Sequence, residues 1–151
     1  MPSLTVLASY LESIAPAQIA EGWDNVGVLV RCAQEVTGVL CALDITPATV
    51  REARAVGCNV IVSHHPVIFR PLKELCQDDV PALLVREGVS AVCMHTNLDK
   101  AQGGVNDVLA QALGLRDTEP FAGGIGRVGA LPETMEAAAF AHFVGKARAP
   151  T

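Results

Sequence analysis

Three short apolar runs constrain this chain more than any other feature: Val39-Leu40-Cys41-Ala42-Leu43, Val60-Ile61-Val62 and Val89-Ser90-Ala91-Val92-Cys93-Met94. None shows the polar alternation of a strand with one wet face, so each must be covered on both sides. Helical patterns lie between them. Thr46 is an N-cap with Pro47 at the first helical position, and Gly57 closes the helix Pro47–Val56. A short helix Pro81–Glu87 ends at Gly88. Strands alternating with helices imply β-α-β units and an α/β fold, a sheet with helices on both faces.

The flanks fit around this centre. Ser3 caps a helix in which Leu4, Leu7, Ala8, Leu11 and Ile14 recur at helical spacing until Pro16 stops it. A second short helix over Pro16–Ala20, a polar turn Glu21–Asn25 and a strand Val26–Val30 follow. Trp23 reads as a core plug beside a capping Asp24. Val105–Leu113 forms a helix closed by Gly114, and the glycine-rich stretch Phe121–Leu131 reads as a tight turn or bulge between strands rather than a phosphate cradle. Thr134 caps a last helix through Val144 that leaves His142 exposed.

At 151 residues, half of them hydrophobic and 18% charged, the chain suits one domain with a substantial core. The formal net charge of −5 and the lack of any basic run argue against nucleic acid as the partner. Cys32, Cys41, Cys58, Cys76 and Cys93 form no C-x-x-C pair and read as reduced thiols packed as small hydrophobes. Neither a basic leader nor a membrane-length apolar run is expected, which gives a soluble cytoplasmic protein.

In sheets of this kind ligands bind beyond the carboxyl ends of the strands. Asp44, His64, His65, His95 and Asp99 all fall just after a strand's last apolar residue, which places there three of the four histidines. Two adjacent histidines before a proline are by themselves ordinary turn residues. A third histidine and a carboxylate at a second strand end raise them to candidate metal ligands. Pro66 holds His65 extended. If His64 is extended too, the two side chains point to opposite sides, so two ions roughly 3.5–4 Å apart suit them better than one. Asp99 would serve one ion or bridge both, and Asp24 or Asp44 would orient a ligand histidine. No closed four-ligand set of the structural zinc type is present.

Four stretches carry a wider resemblance: Gly22-Trp23-Asp24-Asn25-Val26-Gly27; Ser63-His64-His65-Pro66 with Phe69 and Pro71-Leu72-Lys73; His95-Thr96-Asn97-Leu98-Asp99; and Gly103-Gly104-Val105-Asn106-Asp107. Gly126-Arg127-Val128-Gly129 also fits. In order and spacing they resemble the NIF-three-like (NGG-interacting factor three) family, whose bacterial members carry the label GTP cyclohydrolase I type 2 homologue. The resemblance implies a dinuclear divalent-metal site with His64, His65 and Asp99 as ligands, and His95 and Asn97 lining the cavity. It implies an α/β fold assembling into a homohexamer, and metal-dependent hydrolysis of an unidentified substrate at a phosphate or similar ester.

Family members continue well past this length and end in a segment with a His and a Glu on one helical face that completes the metal site. Beyond Asp99 the only histidine here is His142, and residue 146 is Lys. The chain therefore reads as a truncated family domain over 1–151, whose turn and last helix at 121–146 lead toward an absent portion. Three functional readings follow: a hydrolase with two zinc, iron or manganese ions, a metal-poor binding or regulatory scaffold, and an inactive fragment.

Overall fold

Ser3 does cap the first helix, its hydroxyl accepting the Val6 N–H at 3.2 Å, and α1 runs Leu4–Ile14. A single 3-10 turn, Ala17–Ile19, stands where the second short helix is expected. Strand β1 is Gly27–Val30 and β2 is Val39–Ala42. Thr46 and Thr49 then form a reciprocal capping box ahead of α2, Pro47–Ala55. β3 (Val60–Ser63), α3 (Val80–Glu87) and β4 (Ser90–Cys93) complete the repeat. Gly88 ends α3 with φ 67°, a left-handed conformation that glycine adopts without a Cβ clash.

The computed structural model describes residues 1–147, in two compact units divided after Ala101. In the first unit the sheet order is β1-β4-β3-β2. The helical crossovers make β2, β3 and β4 parallel neighbours, while β1 joins antiparallel at the edge with a register shift between Val28 and Val30.

The absence of alternation in the strands now has its cause. Ile61 and Ala91 pack with Val50 and Ala53 of α2 and Leu84 of α3. The next residues, Val60 and Val92, turn to the other face and pack with Leu4, Leu7 and Leu11 of α1. Each fully buried Leu, Ile or Val contributes about 1.5–3 kcal/mol relative to exposure. Helices on both faces thus cover the apolar runs of β3 and β4. Strand β2, at the sheet edge, keeps one face exposed at Val39 and Cys41, contrary to the two-sided cover expected of its run.

The cysteines divide: Cys93 is buried, Cys32 and Cys58 are half-buried, and Cys41 and Cys76 are exposed. The last two therefore do not act as packed hydrophobes. Cys41 lies on β2, an edge strand of alternating exposure, which explains the difference.

The second unit begins with a three-residue lead, Gln102 to Gly104, into α5, Val105–Ala112. It continues as an antiparallel hairpin of β5 (Arg116–Phe121) and β6 (Gly126–Ala130), followed by α6, Ala137–Ala147. The glycine-rich stretch is the hairpin turn. A Cβ at Gly126 would collide with the Phe121 ring, so the ring lies directly on the glycine backbone. Arg127 donates to the Asp107 carboxylate and to the carbonyls of Gly124 (2.7 Å) and Gly126 (3.0 Å). Asp107 also accepts from the Gly103 N–H at 2.6 Å, and Asn106 donates to Ile125 O at 2.6 Å. Two glycine-containing motifs of the sequence therefore lock one another. α6 starts two residues later than the Thr134 cap suggests, and His142 on it is exposed.

Candidate metal centre

β3 and β4 are neighbours, so the segments after Ser63 and Cys93 emerge side by side. The His64 N–H bonds Ala42 O at 3.1 Å. In a continuing strand the next N–H would turn toward β4. Instead the His65 N–H bonds Leu43 O at 2.9 Å, again on the β2 side. The Ser63 hydroxyl donates to His65 O at 2.8 Å across the same bend. Alternation breaks here, and the rings of His64 and His65 end 5.3 Å apart and tilted by 44°. The opposite-facing arrangement expected of an extended His-His pair does not occur.

His95 arrives from the end of β4, as the residue preceding α4, Thr96–Lys100, a five-residue helix where a loop is expected. Its ring centroid lies 5.1 Å from His64 and 5.8 Å from His65. One ring nitrogen from each of the three histidines falls within 4.8 Å of the others, so the cluster is able to hold a metal ion.

The remaining nitrogens show which atoms face that point. His64 Nδ1 contacts the Met94 carbonyl at 3.0 Å, His65 Nδ1 contacts Asp44 at 2.7 Å, and His95 Nδ1 contacts Asp24 at 2.9 Å. A carbonyl or carboxylate oxygen accepts, so each Nδ1 carries the hydrogen and each Nε2 offers a lone pair. Outer acceptors that fix tautomer and ring orientation are the usual support of metal-binding histidines. Asp99 approaches from α4, its Oδ1 3.7 Å from His64 Nε2.

Asp24 is the best-anchored member. Its side chain exposes no surface. It accepts from the Asn25 N–H (2.8 Å), His95 Nδ1 (2.9 Å), the Thr96 N–H (3.0 Å) and the Thr96 hydroxyl. Burial alone would raise its pKa, but the bonds from Thr96, His95 and the backbone outweigh it and hold the carboxyl below its ordinary value. Asp24 does cap a helix, α4, which lies far along the chain. Trp23 is not the core plug its position suggests: it is 59% exposed. The polar neighbours Asp24 and Asn25 take the inward side of the turn, which leaves the indole outside.

Asp44, by contrast, has 56% of its side chain exposed. Asn97 is buried, donating to Ala15 O at 2.7 Å. It lines a cavity of about 290 Å³ together with Thr5, Leu11, Glu12 and Arg31. Beneath the site the Cys93 thiol donates to His64 O at 3.2 Å, its pKa pushed up to about 12 by burial and by the charge of Asp24.

The sequence pattern defining Duf34/NIF3 (NGG1p interacting factor 3) matches residues 2–150. The chain belongs to this family. It is 43% identical over 115 residues to a Staphylococcus aureus protein named GTP cyclohydrolase 1 type 2 homolog, covering 74% of this chain and 31% of that protein. A Clostridium perfringens protein of the same name is 34% identical over 144 residues, covering 87% and 55% respectively. Among solved structures, a Bacillus cereus protein related to NIF3 superposes with TM-score 0.72 at 40% identity, over 79% of this chain and 34% of that one. Reduced HcgD from Methanocaldococcus jannaschii superposes with TM-score 0.84 at 25% identity, over 96% and 60%. This NIF3-family chain thus spans between about a third and a little over half of the curated relatives it matches.

Proposed function

We infer that this chain is a metal-dependent hydrolase with His64, His65 and Asp99 as metal ligands and His95 on the wall within reach of them. The count of two divalent ions rests on the family resemblance, since His64 and His65 do not face opposite sides. The observation that carries this reading is the clustering of three histidines whose Nδ1 atoms each meet an outer acceptor, which leaves Nε2 as the nitrogen able to ligate. Imidazole and carboxylate donors suit zinc, iron or manganese. A divalent metal bound here supplies Lewis-acid activation of a phosphoryl or similar ester oxygen.

The chain's own residues supply the rest. Met94 O, Asp44 and Asp24 accept the Nδ1 hydrogens and thereby fix the orientation of the three rings, leaving Nε2 of each as the nitrogen able to ligate. Asp24 also fixes the start of α4, and with it the approach of Asp99. The relatives' name, GTP cyclohydrolase 1 type 2 homolog, is consistent with hydrolysis and leaves the substrate open. Among the described residues no helix is long and apolar enough to cross a membrane, and we place the protein in the cytoplasm as a homo-oligomer, a hexamer by family resemblance.

The test is turnover of a panel of phosphomonoesters and phosphodiesters with zinc, manganese or iron(II). Metal-dependent hydrolysis that disappears in His65→Ala supports the reading. Activity unchanged by that substitution, or unaffected by chelator, overturns the reading, and absence of turnover with every metal favours the scaffold without catalysis.

A further inference from the structure

Trp23 is the chain's one tryptophan, and it stands on a turn tied down through Asp24 and Asn25. The usual order is inverted there: Asp24 has no exposed side-chain surface, while the indole beside it is 59% exposed. The inversion is held in place. Asn25 Nδ2 donates to Ile68 O at 2.6 Å, tying this turn to the segment that carries Phe69, itself 44% exposed. The two rings meet edge-on, centroids 5.9 Å apart at 62°. Trp23 also stands 6.3 Å from the His95 ring at 74°. A fixed, open aromatic pair therefore stands beside the His95 ring of the histidine cluster.

We propose that Trp23 and Phe69 form the seat for a planar aromatic ring, so that the ligand of the histidine site is an aromatic compound carrying a phosphate or similar anionic group. The proposal rests on the metal reading above. Small-molecule sites combine an apolar or aromatic wall with a few polar groups that fix orientation. Here the metal-binding nitrogens receive the anionic end and the aromatic pair receives the ring. Aromatic faces attract flat rings through stacking, and Trp and Phe pre-fixed by their backbone ties lose little freedom on binding.

The test compares phenylphosphonate with methylphosphonate, non-hydrolysable counterparts of the phosphate esters, so that binding is read without turnover. The two probes share the anion and differ by the ring. The zinc-loaded full chain is used, with zinc per chain measured on the same sample. Trp23 emission reports binding directly, and calorimetry covers the variants. Phenylphosphonate should bind roughly tenfold tighter than methylphosphonate, with Trp23→Ala removing that preference and Trp23→Phe restoring most of it. Zinc content should be the same in all three proteins, which also excludes misfolding as the cause. Equal binding of the two probes with zinc present, or no binding of either, overturns the aromatic seat alone. Absence of zinc overturns the metal reading and the proposal with it. A blue shift of Trp23 emission with protein concentration, tracking self-association, assigns the aromatic pair to contact between copies and also overturns the proposal.

Discussion

Asp24 accepts the Nδ1 hydrogen of His95 at 2.9 Å from 71 residues away, with no part of its side chain exposed. The same carboxylate receives Thr96 twice, through its N–H and its hydroxyl. One buried side chain therefore sets the ring orientation of a histidine and the start of the helix that carries Asp99.

Replacing it should affect stability and the site together. Asp24→Ala leaves the His95 and Thr96 donors without their acceptor, at about 1–3 kcal/mol for each buried group left unsatisfied. In metal-free protein the melting temperature should fall. In folded variant, zinc affinity should drop about 10–100-fold, read by competition with a chelating dye. Unchanged zinc affinity would show that His95 and α4 do not depend on Asp24.

Asp44→Ala should separate the two effects. Its bond to His65 lies at a side chain more than half exposed, so stability should change by no more than about 0.5 kcal/mol. The tautomer and orientation of His65 lose their support, and zinc affinity should fall about tenfold. A large loss of melting temperature with intact zinc binding would contradict this assignment.

In the second unit, the Arg127 hydrogen bond, with help from the Gly103 N–H, holds the Asp107 carboxyl below its ordinary value. A depressed folded-state pKa contributes stability above the unfolded value, and that contribution is lost as pH falls through the folded one. Acid titration of metal-free protein by circular dichroism should show wild type losing more stability between about pH 5 and 2 than Asp107→Asn does. Parallel profiles would remove Asp107 from the acid response.

Thiol chemistry gives an independent check on the core. Cys41 and Cys76 are exposed, whereas Cys93 is fully buried with its pKa pushed up to about 12 by burial and the Asp24 charge. Alkylation at mildly alkaline pH, mapped by peptide mass spectrometry, should label Cys41 and Cys76 in the native protein and Cys93 after unfolding. Rapid native labelling of Cys93 would contradict the packing of β4 beneath the site.

The β-α-β core was legible because unbroken apolar runs with capped helices between them have few other solutions. The strand-end position of His64, His65 and His95 was legible for the same reason. Ring direction was not, since it depends on one peptide plane at His65 that bonds back to Leu43. Nor was the role of Asp24 readable as a contact, because its partners lie at the far end of the unit. Trp23 misled because burial of the polar residues beside it reverses the usual preference. β5 carried no signal: all six residues of Arg116–Phe121 are exposed, and its pairing with β6 rests on backbone bonds that composition does not reveal.

The central claim is the metal site, and metal per chain measures it most directly. Protein supplied with zinc, iron and manganese, then exhaustively dialysed, should retain close to two ions per chain by elemental analysis, with a clear loss in His65→Ala. A content near zero, or one that His65→Ala leaves unchanged, would contradict the account.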